Sequence, residues 1–512
     1  MASGFVVPDR DQSFFQATSY RELLAGDELV WTVIEVVEGL DLSEVYERYG
    51  ADVGQGGRPA FDPAMMLTLL VFGYCEGKRS ARELEAACRR DVAYQAICGG
   101  MCPDHSTIAR FRVLIDDVIA SLFIQVLEEC RRRGLVDVGR VALDGTKMAA
   151  AASKGTNRSA ETLERLRSEV AEILGDTHPD PADLTDDTDD PGDTDDDGNP
   201  GGGGGDSGGG NQGGGGWSPL RRDRETRRRL GRIEAAQAEV ERSRRRREHD
   251  EQRRGRRRGG DPVGNLTDPD SRLHNTAHGG FIQGYNTQAV VSADQVVVAV
   301  AVSAETTDVG QFGSMVEATM TNLAAVGAGP AGCVLADAGY WSLANSRVED
   351  TLDGTTLLIA PGAKSHRVGV PPSVLAENPS DATAARHAMA TRLADPGYHR
   401  DYRQRSWLIE GCFAHTKTHR RTSRFSRRGL AACRAEWTLI HLAGNICKIH
   451  QARHSRPPGP PGPPPRTRPG TRPAPISGPN RPPRHRRPTR PRPGRPTSIT
   501  PIFAPTRYFD TS

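Results

Sequence analysis

Residues 176–216 set the first limit on how this chain folds. They run as an Asp/Pro/Thr-rich block followed by a glycine-rich one, almost without apolar side chains. Neither composition buries enough apolar area to offset chain entropy, so the segment is predicted to be disordered. Any core must be assembled from sequence on both sides of it. Within it, Asp193–Gly204 reads DTDDDGNPGGGG and opens like an EF-hand loop. The bidentate glutamate such a loop needs at its twelfth position is Gly204 here, and no helical pattern flanks the stretch, so calcium binding is not expected.

The 512 residues leave room for two or three domains at about 100–200 residues each. A net charge of +2 conceals one strongly acidic and two strongly basic blocks, so charge pattern is more informative than the total. Nine scattered cysteines, an odd number, fit a reducing compartment better than a disulfide framework. No signal-peptide pattern is present and no apolar run approaches the roughly 18 residues of a membrane span. A soluble, cytoplasmic protein without membrane contact is expected.

Residues 12–135 read as an all-α, DNA-binding domain, with an ordinary helical domain as the alternative. Asp62-Pro63 opens one helix, Ser80 and Glu83 form a capping box for the next, and a short helix over Ser106–Leu114 carries Arg110 and Arg112. An α/β domain follows in two pieces, residues 138–175 and 261–450. Val138–Asp144 is predicted as a short strand ending in a carboxylate. Tyr285–Val291 and Gln295–Val302 form a hairpin, Gly332–Asp337 is a second strand ending in aspartate, and Thr356–Ala360 is a third. The pieces are separated by the disordered linker, 176–216, and a basic helical insertion, 217–260. There Leu230, Ile233, Ala236 and Val240 mark one amphipathic helix. Its arginines are partly balanced by Glu225, Glu234, Glu241 and Glu248, while Arg244–Arg247 are read as unbalanced and suited to phosphate. Residues 451–512 form a Pro/Arg-rich tail predicted to be a disordered cationic arm.

Asp144 and Asp337 each follow an apolar run and precede a small residue, the placement that rigid carboxylate ligands of hard cations need. A strand-end aspartate that caps the next turn is the alternative for each. In a regular helix over Tyr402–Lys417, Glu410 and Lys417 fall on one face two turns apart, with Phe413 between them; an exposed amphipathic helix gives the same pattern. Lys147 is near Asp144 and either reaches phosphate or caps a strand edge. Asp268, Asp270 and Arg272 are read as a buried, salt-bridged turn supporting the sheet, with direct DNA contact as the alternative. His274 and His278 lack a ligand partner at useful spacing, and Cys98 and Cys102 are read as plain thiols.

Asp144-Gly-Thr-Lys147, Asp268-Pro-Asp270-Ser-Arg272, Gly284-Tyr-Asn-Thr-Gln288, Asp337-Ala-Gly-Tyr340 and Tyr402–Lys417 occur in an order that resembles bacterial insertion-sequence transposases with a DDE catalytic domain. Trp437, Asn445 and Lys448 in the last helix extend the resemblance, and the N-terminal region is similar to the helical domain that precedes this core. The resemblance implies an RNase H-like catalytic core with a mixed central sheet. It implies Asp144, Asp337 and Glu410 as catalytic, metal-binding carboxylates for two Mg2+ ions, with Mn2+ as a substitute. Tyr402, Arg405, Lys417 and Lys147 would contact DNA phosphate. The partners would be double-stranded DNA, both terminal repeats and target, and at least a second subunit on DNA. The implied reaction is cleavage at element ends and transfer of a 3′-hydroxyl into target DNA. A silent DNA-binding relative or repressor, and a two-metal nuclease without strand transfer, are the competing readings.

Overall fold

The computed structural model describes residues 18–52, 60–175, 219–254, 260–276, 279–362 and 381–454. The linker over 176–216, with Asp193–Gly204 inside it, His278, and the tail beyond residue 454 lie outside the described residues.

The N-terminal region is helical: α1 (Tyr20–Leu23), α2 (Leu29–Glu38), α3 (Ser43–Asp52), α4 (Pro63–Glu76), α5 (Ala81–Arg90), α6 (Val92–Cys98), α7 (His105–Leu114) and α8 (Ile119–Arg132). Local chemistry fixes several ends. Asp62 accepts from the Met65 amide at 2.9 Å and Pro63 opens α4, while Ser80 and Glu83 complete the capping box of α5. Helix α4 is buried almost all round, as a helix apolar on every side must be. It stops at Gly77, whose φ of 78° suits glycine, and a Cβ there would come 2.8 Å from the Arg420 carbonyl oxygen. On α7, Arg112 is buried and donates to the Arg79 carbonyl at 2.9 Å. The expected DNA-facing pair is thus reduced to Arg110, because Arg112 is used to tie α7 to the turn before α5.

The second part is a mixed sheet. Strands β1 (Val141–Ala149), β2 (Asn157–Ser159), β3 (Val263–Asn265), β4 (Arg272–Asn275), β5 (Phe281–Ser292), β6 (Val297–Ser303), β7 (Cys333–Ala336) and β8 (Thr356–Ile359) alternate with helices α9 (Ala160–Gly175), α10 (Pro219–Arg254), α11 (Phe312–Ala325), α12 (Leu343–Ser346), α13 (Asp381–Ala394), α14 (Pro396–Ala414) and α15 (Leu430–His454). The main sheet runs β4-β5-β1-β7-β8, and β6 also pairs with β5. Strand β5 is antiparallel to β1, whereas β7 and β8 are parallel to it. The hairpin expected near Tyr285–Val302 is β5–β6. Its turn places Gln295 at a φ of 62°, outside the ordinary range of a residue with a side chain.

Strand β1 does not end at Asp144. It continues to Ala149 because β5 supplies a partner throughout, from Val141↔Ser292 to Ala149↔Gly284. The parallel partner β7 reaches only Val141–Leu143. Asp144 is therefore the first β1 residue without a β7 neighbour, and the sheet opens there.

Helices α2, α4 and α8 pack on α15, so the N-terminal helices and the end of the chain share one core. Polar contacts tighten the join. Arg79 pairs with the buried Glu436 at 2.7 Å, Arg427 makes a two-pronged contact with Asp116, and Thr32 meets His450 at 3.0 Å. The turn over Asp268–Arg272 has a structural part, though not as an internal salt bridge. Asp268 is fully buried and accepts from the Tyr285 hydroxyl at 2.7 Å and the Gly429 amide at 3.2 Å, while Asp270 accepts from the Leu430 amide at 2.9 Å. This turn caps α15. His274 is also buried, with Nε2 3.1 Å from the Gly284 carbonyl.

The basic helix α10 does not stand alone: it packs on α9, from the end of the preceding piece, as a helical hairpin with its own small core of Leu163, Val170, Ile233, Ala236 and Val240. Its stem is closed by the antiparallel pair β2–β3. Arg244–Arg247 are each partnered but keep an excess of positive charge: Arg244 and Arg245 share Glu241, Arg246 pairs with Glu239, and Arg247 donates to the neutral Gly260 carbonyl. Glu239 is 4% exposed and also holds Arg242 and, from β4, Arg272 at 2.9 Å. Losing the acidic member of a buried ion pair costs about 3–5 kcal/mol. Glu239→Ala is therefore expected to free α10 from β4 and speed trypsin cleavage within α10 by at least about tenfold, with the main sheet still protected. Unchanged cleavage kinetics would show that α10 is held by its apolar face alone.

Candidate active site

Alternation along β1 sends Asp144 and Thr146 to one face and Gly145 and Lys147 to the other. The first face is covered by α14. There Arg405 donates to Asp144 Oδ2 at 2.8 Å and Lys417 donates to Thr146 Oγ1 at 2.5 Å. Tyr402, one turn before Arg405, donates to the Ala336 carbonyl at 3.3 Å, at the end of β7. Asp337 follows directly and caps a 3-10 turn by accepting from the Gly339 amide at 2.9 Å. Asp144, Asp337, Tyr402, Arg405 and Lys417 thus meet where β1 and β7 part.

Burial pushes the Asp144 carboxyl above the usual aspartate value; Arg405 opposes that rise and the charge of Asp337 adds to it. The two carboxylates feel one another. Burial likewise lowers the Lys417 ammonium below its ordinary value. Because folded Asp144 holds its proton more tightly than the unfolded chain does, this group's contribution to stability falls as pH rises from 3.8 through its folded value, then stays constant.

Glu410 is not brought to this cluster. It is exposed on α14, and no hydrogen bond or ion pair joins it to either aspartate. Five residues after Arg405, it stands about 140° further round a regular helix. Glu410 and Lys417 also do not share a face. After Ala414 the helix continues as a π-turn over His415–His419, which resets the register and aims Lys417 at Thr146. Phe413, between them, packs against the Trp437 ring at 6.4 Å.

Lys147 lies on the opposite face of β1 from Asp144, an odd number of residues along. Its ammonium is 3.1 Å from Asp308 Oδ1, which also accepts from Asn286 at 2.8 Å and Gln288 at 3.0 Å. Gln288 in turn accepts from the buried Tyr340 hydroxyl. A Cβ on Gly145 would come 2.5 Å from Gln288 Nε2 and 2.8 Å from Asp308 Oδ1, so glycine is needed for this close approach behind Asp144. Asp308 also reaches towards Asp337: its Oδ2 lies 3.6 Å, and Asp337 Oδ1 3.0 Å, from a Cβ built on Gly339. Asp308 was not singled out in the sequence. Its position shortly after β6, following the same rule that flags strand-end aspartates, was the available signal.

Asp144 and Asp337 offer only oxygen donors and converging negative charge, a chemistry that fits a hard divalent cation. Among the described residues no three His, Cys, Asp or Glu side chains stand close enough to grip an ion together.

Fold and site together define a mixed α/β chain with an acidic cleft flanked by guanidinium, ammonium and phenol groups. Two stretches match known families: residues 19–114 match the family described as Transposase domain (DUF772), and residues 373–450 match Transposase DDE domain. These matches bear out the resemblance to insertion-sequence transposases with a DDE domain. The second takes in Tyr402, Arg405, Glu410 and Lys417, whereas Asp144 and Asp337 fall between the two. No curated protein and no solved structure matches the chain. No helix among the described residues is long and apolar enough to cross a membrane.

Proposed function

We propose that this chain cuts double-stranded DNA at the ends of an insertion sequence and joins the freed 3′-hydroxyl to target DNA. The observation that carries this reading is the meeting of Asp144 and Asp337 at the parting of β1 and β7, beneath a helix that lies in the Transposase DDE domain match. The strand order, with β1 central between antiparallel β5 and parallel β7, supports an RNase H-like core.

Asp144 and Asp337 are the residues that would hold a divalent cation, with magnesium expected and manganese as its substitute. A pair of such ions activates the attacking hydroxyl and stabilises the leaving oxygen in phosphoryl transfer. Arg405 and Lys417 bind and orient the scissile strand's phosphates, as charge-assisted donors in a partly dry cleft. Tyr402 fixes the same strand from the β7 side. Glu410 is assigned here as the third carboxylate of the acidic set, a role that requires α14 to rewind beyond Arg405 while Tyr402 and Arg405 keep their places at β7 and β1. Asp308 acts from behind, holding Lys147, Asn286 and Gln288 close behind Gly145 so that Asp144 keeps its direction. Pairing two element ends calls for at least a dimer on DNA.

The decisive assay mixes full-length protein, a labelled duplex carrying a terminal repeat, Mg2+ or Mn2+, and a target plasmid. Joined product supports the reading. Cleavage without joining marks a nuclease, and binding without cleavage a silent relative. In the same assay Asp308→Asn is expected to slow cleavage by about 10–100-fold, the range for losing an outer partner of a metal ligand, with DNA affinity unchanged. A rate equal to that of the unsubstituted protein would remove Asp308 from the site.

A further inference from the structure

We propose that the groove between the basic helix α10, strand β4 and the segment after β6 holds the sugar-phosphate backbone of a DNA strand that continues from the Asp144–Asp337 cleft. The inference rests on the DNA-cutting activity proposed above and assigns a second stretch of its substrate's path. The groove has a volume of about 630 Å³, room for several linked groups rather than a lone ion. Arg245, Arg246 and Arg247 line it from α10, and Arg272 and Leu273 line it from β4. Glu305, Thr306, Thr307 and Val309 form the remaining wall. That wall joins the groove to the cleft. Thr307 and Val309 flank Asp308, whose Oδ2 lies 3.6 Å from a Cβ built on Gly339, against 3.0 Å for Asp337 Oδ1. A strand leaving the Asp337 side of the cleft passes over Asp308 into the groove.

Positive charge converges here from two walls. Arg246 and Arg272 reach the same oxygen of Glu239, at 2.7 and 2.9 Å. Both also approach Glu305 Oε1, at 3.9 and 3.3 Å. Glu239 carries Arg242 as well, so no arginine at this junction has a carboxylate to itself. Arg245 shares Glu241 with Arg244 and keeps its side chain 76% exposed, while Arg247 donates to a neutral carbonyl. The described lining thus sets four arginines against two glutamates, an excess of cation that suits a polyanion and repels a metal ion.

A guanidinium has five N–H donors, so an arginine that shares one carboxylate keeps donors for phosphate oxygens. Threonine hydroxyls are also usual partners of the DNA backbone, and Thr306 and Thr307 are both exposed on the opposite wall. Backbone contacts of this kind position a strand without reading its bases. The groove therefore adds affinity and direction to the cleft and leaves the choice of sequence to other parts of the chain.

The test is fluorescence anisotropy of a labelled duplex of arbitrary sequence with the full-length protein, without divalent metal, over a series of sodium chloride concentrations. Each phosphate contact contributes about 0.9 to the steepness with which log affinity falls against log salt. Arg245→Gln/Arg247→Gln is expected to bind at least about tenfold more weakly, with that slope shallower by about two. Arg245→Lys/Arg247→Lys keeps the charges and should keep the slope. Leu273→Glu is the second variant, in case the double substitution loosens α10. It puts a carboxylate on the β4 wall, leaves every arginine in place, and should weaken binding too. Arg244→Gln is the control: it lies on the same helix but is not among the described lining residues, and it should change little. An unchanged slope in the double variant, together with full affinity in Leu273→Glu, overturns the groove. An equal loss from Arg244→Gln also overturns it, by marking a diffuse charge effect. Cleavage of a terminal repeat with no change of slope sinks the groove alone; a shallower slope without cleavage sinks the proposed activity alone.

Discussion

Asp144→Asn is expected to reduce DNA cleavage by more than the roughly 10–100-fold typical of losing an outer-shell partner, with DNA binding and the fold retained. The substitution keeps the volume and the contact with the Gly145 amide but removes the negative charge that a cation requires. Stability should not fall at neutral pH. Burial and Asp337 already make the ionised form of Asp144 costly, and an amide imitates the neutral form. Active sites commonly carry this conflict between function and stability. The measurements are single-turnover cleavage of an end-labelled duplex, Kd by gel shift, and Tm. Unchanged cleavage would remove Asp144 from the chemistry. A Tm drop of many degrees would mean that its pairing with Arg405 is mainly structural.

Glu436→Ala should be the most damaging single change to the fold among those considered. Glu436 is 1% exposed and accepts from the Ser426 and Arg427 amides at 3.0 and 3.1 Å, the Ser426 hydroxyl at 2.9 Å and Arg79 at 2.7 Å. Removing it leaves the Arg79 guanidinium with the Arg424 carbonyl but no carboxylate, and two amides without their acceptor, a loss of about 3–5 kcal/mol. Each 1 kcal/mol moves Tm by about 2–4 °C for 150–250 residues and by less for a larger cooperative unit such as this one, so a drop of several degrees is expected. The N-terminal helices and the sheet should melt together, because Arg79 belongs to one and α15 to the other. Two separated transitions in calorimetry, with only the upper one near the original Tm, would refute that coupling.

How much of this was legible in the sequence differs by kind of interaction. Capping residues act within four positions, so Asp62, Ser80 and Glu83 announced their helices. Apolar runs announced β7 and β8 for the same local reason. The length of β1 was not legible, because what carries it past Asp144 is β5, more than a hundred residues away. The face of Lys147 followed from alternation only once that length was known. The separation of Glu410 from Lys417 depended on a π-turn that regular periodicity does not foresee. Glu241, within four residues of Arg244 and Arg245, was legible as their partner, whereas nothing local marks Glu239 as buried between Arg246 and Arg272. Arg112 offered no apolar signal for its burial. Asp308 gained meaning only through Lys147, Asn286 and Gln288, which converge from two other strands.

The stem β2–β3 has a consequence for how such a chain can change over generations. It brings the two ends of the insertion side by side, so α9 and α10 and whatever joins them form a removable appendix. The entropy of closing the joining segment grows only logarithmically with its length. Sequence between Gly175 and Pro219 is therefore free to lengthen, shrink or be exchanged without moving Asp144 relative to Asp337. It is a natural splice point, at which a foreign module can be carried by an otherwise unaltered protein.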